Sequence, residues 1–393
     1  MAAVNNVPKD LQDAIREFLG RKVKLYIKRM VKQEVRLDKW ENRVVAFSGT
    51  RLFVFSSKTS KSPEHIYKPK QEHNICYLDI QTIESNKPNK LVITTYEGKS
   101  YSFVTLETET DEVNHMITHI GTSIKQIFPA FPLERIIKNV DVQPPERLKM
   151  MVDMMKTIET KEHGPCGNFT MMYGCMCDYF NLHYMEEVPW DIDNIYSSQE
   201  CKVLRLKDFD HLASAKDLLP IVSSIENNTW FTGMNLSRVK MTIEIQGEFL
   251  KVMQKNCLIE EINLSKTGIT VEFVTKLGTA ILSNAGSQLT KVDLSKNGLD
   301  DRAMTSFLDS LSNLSRGLTH LNISDTRLTG KGLNKIFEIL IQHKSIFIGL
   351  QVLNISDNPT KGEDLQVNEN IWSIIVPKER TYRRRPSIIR SGT

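Results

Sequence analysis

Ile262-Asn263-Leu264-Ser265-Lys266-Thr267, Val292-Asp293-Leu294-Ser295-Lys296-Asn297, Leu321-Asn322-Ile323-Ser324-Asp325-Thr326 and Leu353-Asn354-Ile355-Ser356-Asp357-Asn358 are one pattern written four times. Two weaker copies precede them, Leu204-Arg205-Leu206 ending at Phe209 and Met234-Asn235-Leu236 ending at Val239. The period is roughly thirty residues, just beyond the ordinary range of about 20–29 for short strand-bearing repeats. Alternate residues of a short strand point the same way, so the two apolar residues of each copy enter one core. The Asn or Thr that follows can bond backbone groups where the chain turns away. Val271, Phe273, Val274, Leu277, Ile281 and Leu282 recur at helical spacing and return the chain to the next copy. One such unit cannot bury its apolar face alone, so neighbours must stack.

A stacked α/β unit of this length resembles the leucine-rich repeat of ribonuclease-inhibitor type, with a full helix per repeat and about six repeats over residues 201–365. Asn stands at the turn position only in Asn297 and Asn358; Thr267 and Thr326 replace it elsewhere. Asn263, Asp293, Asn322 and Asn354 each lie between two core-facing residues and therefore point outward. They are the candidate contacts for a protein partner, although outward polar residues are also what solubility alone would require.

Working toward the N-terminus, Gly164-Pro165-Cys166-Gly167-Asn168-Phe169 and Met172-Tyr173-Gly174-Cys175-Met176-Cys177 fit no repeat. An open solenoid end needs a different first unit, and Cys, Met and Tyr fill irregular sites well. Two other readings of this stretch remain: zinc on His163, Cys166, Cys175, Cys177 and His183, or a nucleophilic Cys166. The spacing lacks the paired Cys-x-x-Cys hooks of structural zinc sites. No acid or oxyanion donor is implied for a nucleophile. No metal or other cofactor is expected. Pro129, Pro132 and Pro144-Pro145 mark residues 129–200 as a helical linker and repeat cap, with helices expected over 133–140 and 146–158.

Residues 1–128 begin with an amphipathic helix closed by Gly20. Strands follow: Val23–Ile27, Val44–Phe47 and Leu52–Phe55 around Ser48-Gly49-Thr50, Ile75–Ile80, Leu91–Tyr96 and Tyr101–Leu106. Val113, Met116, Ile117, Ile120, Ile124 and Ile127 close the set with a long helix. Antiparallel strands sealed by one C-terminal helix resemble a pleckstrin-homology domain, a β-barrel expected to face a membrane. The net charge of the chain is +4. Residues 1–128 hold 20 basic against 15 acidic groups, and residues 378–393 hold 6 against 1. The remainder is therefore acidic, and the two basic ends imply an anionic surface as partner. Lys22, Lys24, Lys28, Arg29, Lys32, Lys58 and Lys61 are the candidate lipid contacts, each worth about 1 kcal/mol near an anionic leaflet. No nucleic acid is expected as a partner.

Gly164-Pro165-Cys166-Gly167, Cys175-Met176-Cys177-Asp178 and Trp190-Asp191-Ile192-Asp193-Asn194-Ile195-Tyr196 are similar to the repeat-cap segments of the CARMIL family, linkers of actin capping protein and myosin-I. Gly20-Arg21-Lys22-Val23-Lys24, His119-Ile120-Gly121-Thr122, Ile127-Phe128-Pro129 and Asn228-Thr229-Trp230-Phe231-Thr232 agree. The resemblance covers residues 1 to about 365. It implies a lipid-binding head, a leucine-rich horseshoe and a non-enzymatic scaffold of the actin cytoskeleton acting in lamellipodia and cell migration. The expected location is the cytoplasm, the cytoskeleton and the inner face of the plasma membrane. The family's dimerisation helix and tail for capping protein have no counterpart in residues 366–393, so capping protein is not expected as a partner of this chain.

Those last residues read as a basic, unstructured tail, in which Arg383-Arg384-Arg385-Pro386-Ser387 makes Ser387 a candidate phosphorylation site. The runner-up functions are a generic protein adaptor and a GTPase activator, since Arg205, Arg238, Arg302 and Arg327 could stabilise phosphoryl-transfer charge.

Overall fold

A computed structural model describes residues 7–20, 22–56, 69–106, 111–156, 164–212, 214–311, 314, 316–343, 347–359 and 388–389. Lys58, Lys61, His163 and Ser387 lie outside them. The chain forms two compact units, Met1–His163 and Gly164–Thr393.

In the first unit, α1 (Lys9–Leu19) turns Leu11 and Ile15 onto Val44, Ala46, Phe53 and Phe55. Gly20 stops the helix at φ 81°, a backbone value few other residues adopt. Strands β1 (Ile27–Arg36), β2 (Lys39–Phe47), β3 (Arg51–Ser56), β4 (Gln71–Cys76), β5 (Ile80–Ser85), β6 (Lys90–Thr95) and β7 (Ser100–Thr105) follow. Helix α2 (Glu112–Ile127) buries the apolar stripe that its spacing specifies. The sheet order is β4-β3-β2-β1-β7-β6-β5, with a short strand over Asn139–Val142 (β8) added beside β5.

Three details differ from the sequence reading. The first strand starts at Ile27, although Tyr26 N–H already donates to Phe47 O at 2.8 Å. The strand expected over Ile75–Ile80 is broken by a 3₁₀ turn, Tyr77–Asp79, whose Tyr77 hydroxyl donates to Ser48 O at 2.9 Å. The helix expected over 133–140 is corrected to a single 3₁₀ turn, Leu133–Arg135, followed by β8 (Asn139–Val142), which runs parallel to β5. Ile136 and Ile137 gave the helical signal, but one turn suffices to bury them. Helix α3 (Pro145–Lys156) then packs on α2, and its Arg147 donates to Asn114 Oδ1 at 2.7 and 3.0 Å. Residues 129–156, read as linker, thus fall within the first compact unit.

The second unit opens with α4 (Pro165–Phe180) and α5 (Glu187–Asp191), which continues into a π turn, Ile192–Tyr196. A regular alternation follows: β9 (Val203–Arg205), α6 (Leu219–Ser224), β10 (Gly233–Asn235), α7 (Ile243–Lys255), β11 (Glu261–Asn263), α8 (Val271–Ser283), β12 (Lys291–Asp293), α9 (Asp301–Ser310), β13 (His320–Asn322), α10 (Gly330–Gln342) and β14 (Val352–Asn354). All strands are parallel neighbours in chain order. The middle residues Leu204, Met234, Ile262, Val292, Leu321 and Leu353 enter one core with the helices. Thr242, Thr270, Asp300 and Thr329 each accept from a backbone N–H of the first turn of α7 to α10, the N-cap that Thr and Asp supply. Within the tail expected to lack structure, β15 (Ile388–Ile389) pairs with β14. Among the described residues no helix is long and apolar enough to cross a membrane.

Candidate functional site

Two surfaces, one in each unit, carry the candidate residues. In the first, Lys22 and Lys24 precede β1, and Lys24 Nζ lies 5.0 Å from the centre of the Tyr26 ring. Strand alternation then divides the cations: Lys28 and Lys32 share one side of β1 with Met30, while Arg29 points the other way. Arg29 Nε meets Glu112 Oε1 at 3.0 Å, at the first turn of α2, where a carboxylate is favoured. The sequence patch is therefore not one surface, and its arginine is already held by a carboxylate. Arg29 and Glu112 line a cleft with Ile27, His115, Thr118 and His119. His119 Nε2 lies 2.8 Å from Ser48 O, and its ring packs on Tyr26, Phe47 and Tyr77. Burial pushes the His119 pKa below the ordinary imidazole value, against the opposing pull of that backbone bond.

In the second unit the strand register aligns Arg205, Asn235, Asn263, Asp293, Asn322 and Asn354 in one outward row. The four candidate partner contacts belong to it, and all are half-buried. Each also closes a turn: Asn263 Oδ1 accepts from Ser265 N at 2.9 Å, Asp293 Oδ1 from Ser295 N at 2.9 Å, Asn322 Oδ1 from Ser324 N at 3.2 Å and Asn354 Oδ1 from Ser356 N at 3.1 Å. Asn322 Nδ2 donates across the strands to Asp293 Oδ2 at 3.0 Å. These residues hold the chain as it leaves the strand. The outward row one pleat earlier includes Glu261, Lys291 and His320, which make no such turns and were missed by sequence reasoning. In the five later repeats a left-handed residue, Arg238, Lys266, Lys296, Asp325 or Asp357, follows at φ 51–64° and is exposed.

Behind the sheet, Asn297 Nδ2 donates to Leu264 O, Leu294 O and Ser295 O at 2.8–3.0 Å while its Oδ1 accepts from Thr267 N and Gly268 N. Asn358 repeats this toward Ile323 and Thr326. Each Asn thus spans two repeats, and Thr326 Oγ1, besides donating to Ile323 O in its own repeat, donates to Asn358 Oδ1 of the next at 3.2 Å, so the imperfect ladder is a pair of two-repeat clamps. A second ladder went unseen in the sequence. Asn256 Nδ2 donates to Ile225 O and Asn228 O, and Asn284 Nδ2 donates to Met253 O and Asn256 O. Its signal was an Asn every 28 residues just past a helix.

The cysteine-bearing segment covers the first repeat. Cys166, Phe169, Tyr173 and Cys177 share a core with Leu204 and Leu206. Cys166, Gly167 and Asn168 are all left-handed, at φ 47°, 68° and 68°. At Gly167 the backbone also passes close to the next repeat, where a Cβ would lie 3.1 Å from Trp230 N. Asn228 Nδ2 donates to Cys166 O at 2.9 Å and ties the turn to the next repeat. Burial raises the Cys166 and Cys177 thiols to about 11, so neither is a ready thiolate. Among the described residues no three His, Cys, Asp or Glu are disposed to hold a metal. The four arginines considered for GTPase activation are exposed but dispersed: Arg205 lies on β9, Arg238 and Arg327 in turns, and Arg302 in α9.

Comparison with known proteins agrees with this architecture. Residues 25–129 match the Carmil pleckstrin homology domain, and residues 166–373 match the CARMIL family LRR domain. Capping protein, Arp2/3 and myosin-I linker protein 3 of Rattus norvegicus is 28% identical over 352 residues, 89% of this chain and 24% of the relative. Rho GTPase-activating protein gacW of Dictyostelium discoideum is 26% identical over 323 residues, 81% of this chain and 27% of that protein. Among solved structures, the N-terminal PH domain of human ARAP2 superposes with TM-score 0.22 and 16% identity, covering 29% of this chain and 90% of that domain. The chain spans about a quarter of the length of the linker proteins it matches. With a pleckstrin homology unit and a leucine-rich-repeat unit each matched by its own family model, the chain belongs to the CARMIL family.

Proposed function

We propose that this chain is a non-enzymatic scaffold of the actin cytoskeleton that works at the inner face of the plasma membrane. Its pleckstrin homology unit would bind anionic lipids, and the outward face of its repeat sheet would bind a protein partner. The observation that carries the reading is the union, in one chain, of a basic pleckstrin homology unit and a repeat sheet with an open polar face. Lys22, Lys24, Lys28 and Lys32 would serve the lipid, with Lys58 and Lys61 as further candidates. Arg29 contributes least while Glu112 holds it. On the sheet, Glu261, Lys291 and His320 would meet the partner together with Asn263, Asp293, Asn322 and Asn354. Phosphorylation at Ser387 would subtract positive charge from the tail. Actin regulation is proposed from the names of the relatives, which join capping protein, Arp2/3 and myosin-I.

Co-sedimentation of the full chain with phosphatidylserine-containing vesicles tests the lipid half. Binding is expected at low ionic strength and should weaken as added salt screens the exposed lysines. A chain that stays in the supernatant at low salt would refute lipid binding. The GTPase-activating reading draws on the name of one relative, of which this chain matches 27%. An unchanged GTP hydrolysis rate across a panel of small GTPases would dismiss it.

A further inference from the structure

We propose that the rim where the repeats leave their strands is a binding site for a short acidic segment of a partner protein, held by Arg238, Lys240, Lys266, Lys296 and Arg327. The site lies past the outward rows assigned above to a protein partner and does not depend on them.

The register lines these cations up. Arg238 N donates to Ser265 O at 2.9 Å, Lys266 N to Ser295 O at 3.0 Å and Lys296 N to Ser324 O at 3.0 Å. Arg238, Lys266 and Lys296 therefore hold the same place in three consecutive repeats. Paired strands lie about 4.8 Å apart, so the three span roughly 10 Å. All are left-handed, at φ 64°, 55° and 58°, and share the same ladder bond, so the three side chains leave one side of the turn. Lys240 follows Arg238 by two residues. Arg327 reaches back from the next repeat: its guanidinium carbon lies 3.3 Å from where a Cβ would stand on Gly298, two residues past Lys296. All five cations are exposed.

The rim differs from the rest of the unit in lacking neutralisation. Residues 164–359 hold 18 basic against 22 acidic groups. Elsewhere in the unit cations are paired: Lys255 with Glu226 at 2.6 Å, Lys276 with Glu272 at 2.7 Å and Lys291 with Glu261 at 3.4 Å. Among the described residues, none of the five rim cations is paired with a carboxylate. Asp293 and Asp300, which flank Lys296 in sequence, are bonded within the fold: Asp293 accepts from Ser295 N and Asn322 Nδ2, and Asp300 caps α9. Like charges held in file repel one another, and an anionic occupant relieves that repulsion.

The ends of the file limit what the occupant can be. The same position is Asp208 in the first repeat, Asp325 in the fifth and Asp357 in the sixth, so carboxylates bound the basic run on both sides. A bilayer or a nucleic-acid backbone continues its charge past those ends and meets them. A peptide can stop short. At about 3.3 Å per residue, about four extended residues cover the run and turn about two carboxylates toward it. Acidic segments are recognised by clustered cations in this way.

Fluorescence anisotropy of a fluorescein-labelled peptide of alternating glutamate and serine, titrated with the full chain at low ionic strength, provides the test. A matched peptide of glutamine and serine is the control. The glutamate peptide should bind, the control should not, and added salt should weaken binding. Lys266→Glu with Lys296→Glu should lower the affinity by about tenfold or more, while Lys266→Arg with Lys296→Arg should keep it within about threefold. Lys331→Glu with Lys335→Glu makes the same change of charge at exposed sites of α10 and should also keep it within about threefold. Asp325→Asn should tighten binding by lengthening the basic run. Circular dichroism of each variant should match wild type, because every replaced side chain is exposed. A wild-type chain that leaves the glutamate peptide free at low salt would overturn the inference. A peptide bound equally by the Lys266→Glu, Lys296→Glu variant would place it on another cationic surface, and an equal loss from the α10 pair would make the interaction one of net charge; either result overturns the rim. Phosphatidylserine vesicles in place of the peptide give the last arm: vesicle binding lost in the Lys266→Glu, Lys296→Glu variant while the peptide stays bound would make a membrane the occupant and overturn the inference too.

Discussion

At the scale of single residues, the asparagines divide by what their amides satisfy. Asn297 is buried and meets five backbone groups of two repeats. Replacing it by Ala would leave several of them buried and unpaired, at about 1–3 kcal/mol for each group that water cannot reach. Asn297→Ala is therefore expected to lower unfolding free energy by at least 3 kcal/mol, read as a shift in urea midpoint, and Asn322→Ala by about 1 kcal/mol because its turn faces solvent. Equal losses would mean that the buried clamp contributes nothing special. Sequence spacing identified Asn297 and Asn358 as turn residues, yet it could not show that each reaches back to the preceding repeat. That depends on strand register, which exists only after stacking. The same limit hid the structural duty of Asn263, Asp293, Asn322 and Asn354, for alternation reveals which way a side chain points but not what it bonds.

At the scale of elements, the repeats were legible and the edges of the first unit were not. A period recurring six times averages out local ambiguity, so the strand positions of the second unit and its helix α8 follow from apolar spacing. β8 was lost because Ile136 and Ile137 mimic a helical turn while Val140 and Val142 alternate over only four residues. Helix α2 follows from its apolar spacing, whereas nothing in the sequence shows the surroundings of its His119. In the fold it is half-buried among Tyr26, Phe47 and Tyr77. Its folded pKa lies below the ordinary value of about 6.5. The stability tied to neutral His119 is thus complete above that pH and is lost as the pH falls, because the unfolded chain takes up the proton first. His73 is shifted in the same direction, again mainly by burial. Urea midpoints measured from pH 7.5 to 5.5 should fall for the wild type and fall less for His119→Gln. Identical pH slopes would show that the imidazole is not what couples this helix to protons.

At the scale of the whole molecule, the second unit behaves as a stack with a sealed end. Phe169 is fully buried, stacks on Tyr173 at 6.2 Å and meets Phe231 edge-on at 5.9 Å. Phe169→Ala should cost about 3–5 kcal/mol. Because each repeat leans on its neighbour, the loss should reach strands far from the substitution. Hydrogen exchange is the suitable measurement: amides of β11 and β12 should lose protection along with those of β9. Protection lost near β9 alone would show that the seal is local. The cysteines of this segment allow three readings in the sequence because residue type fixes reactivity only through environment; burial, which no spacing encodes, places Cys166 and Cys177 in the core of the second unit and raises their thiol pKa.

After the first repeat, each repeat turns through a left-handed residue just past its strand, and the chain fills that place with Arg238, Lys266, Lys296, Asp325 and Asp357 rather than with glycine. Such a conformation costs an ordinary side chain about 1–2 kcal/mol. A designer seeking a tougher solenoid would put glycine at all five and expect a higher melting temperature. These positions carry three cations and then two anions in file, so the glycine variant would gain rigidity and erase that order of charge along the edge of the stack.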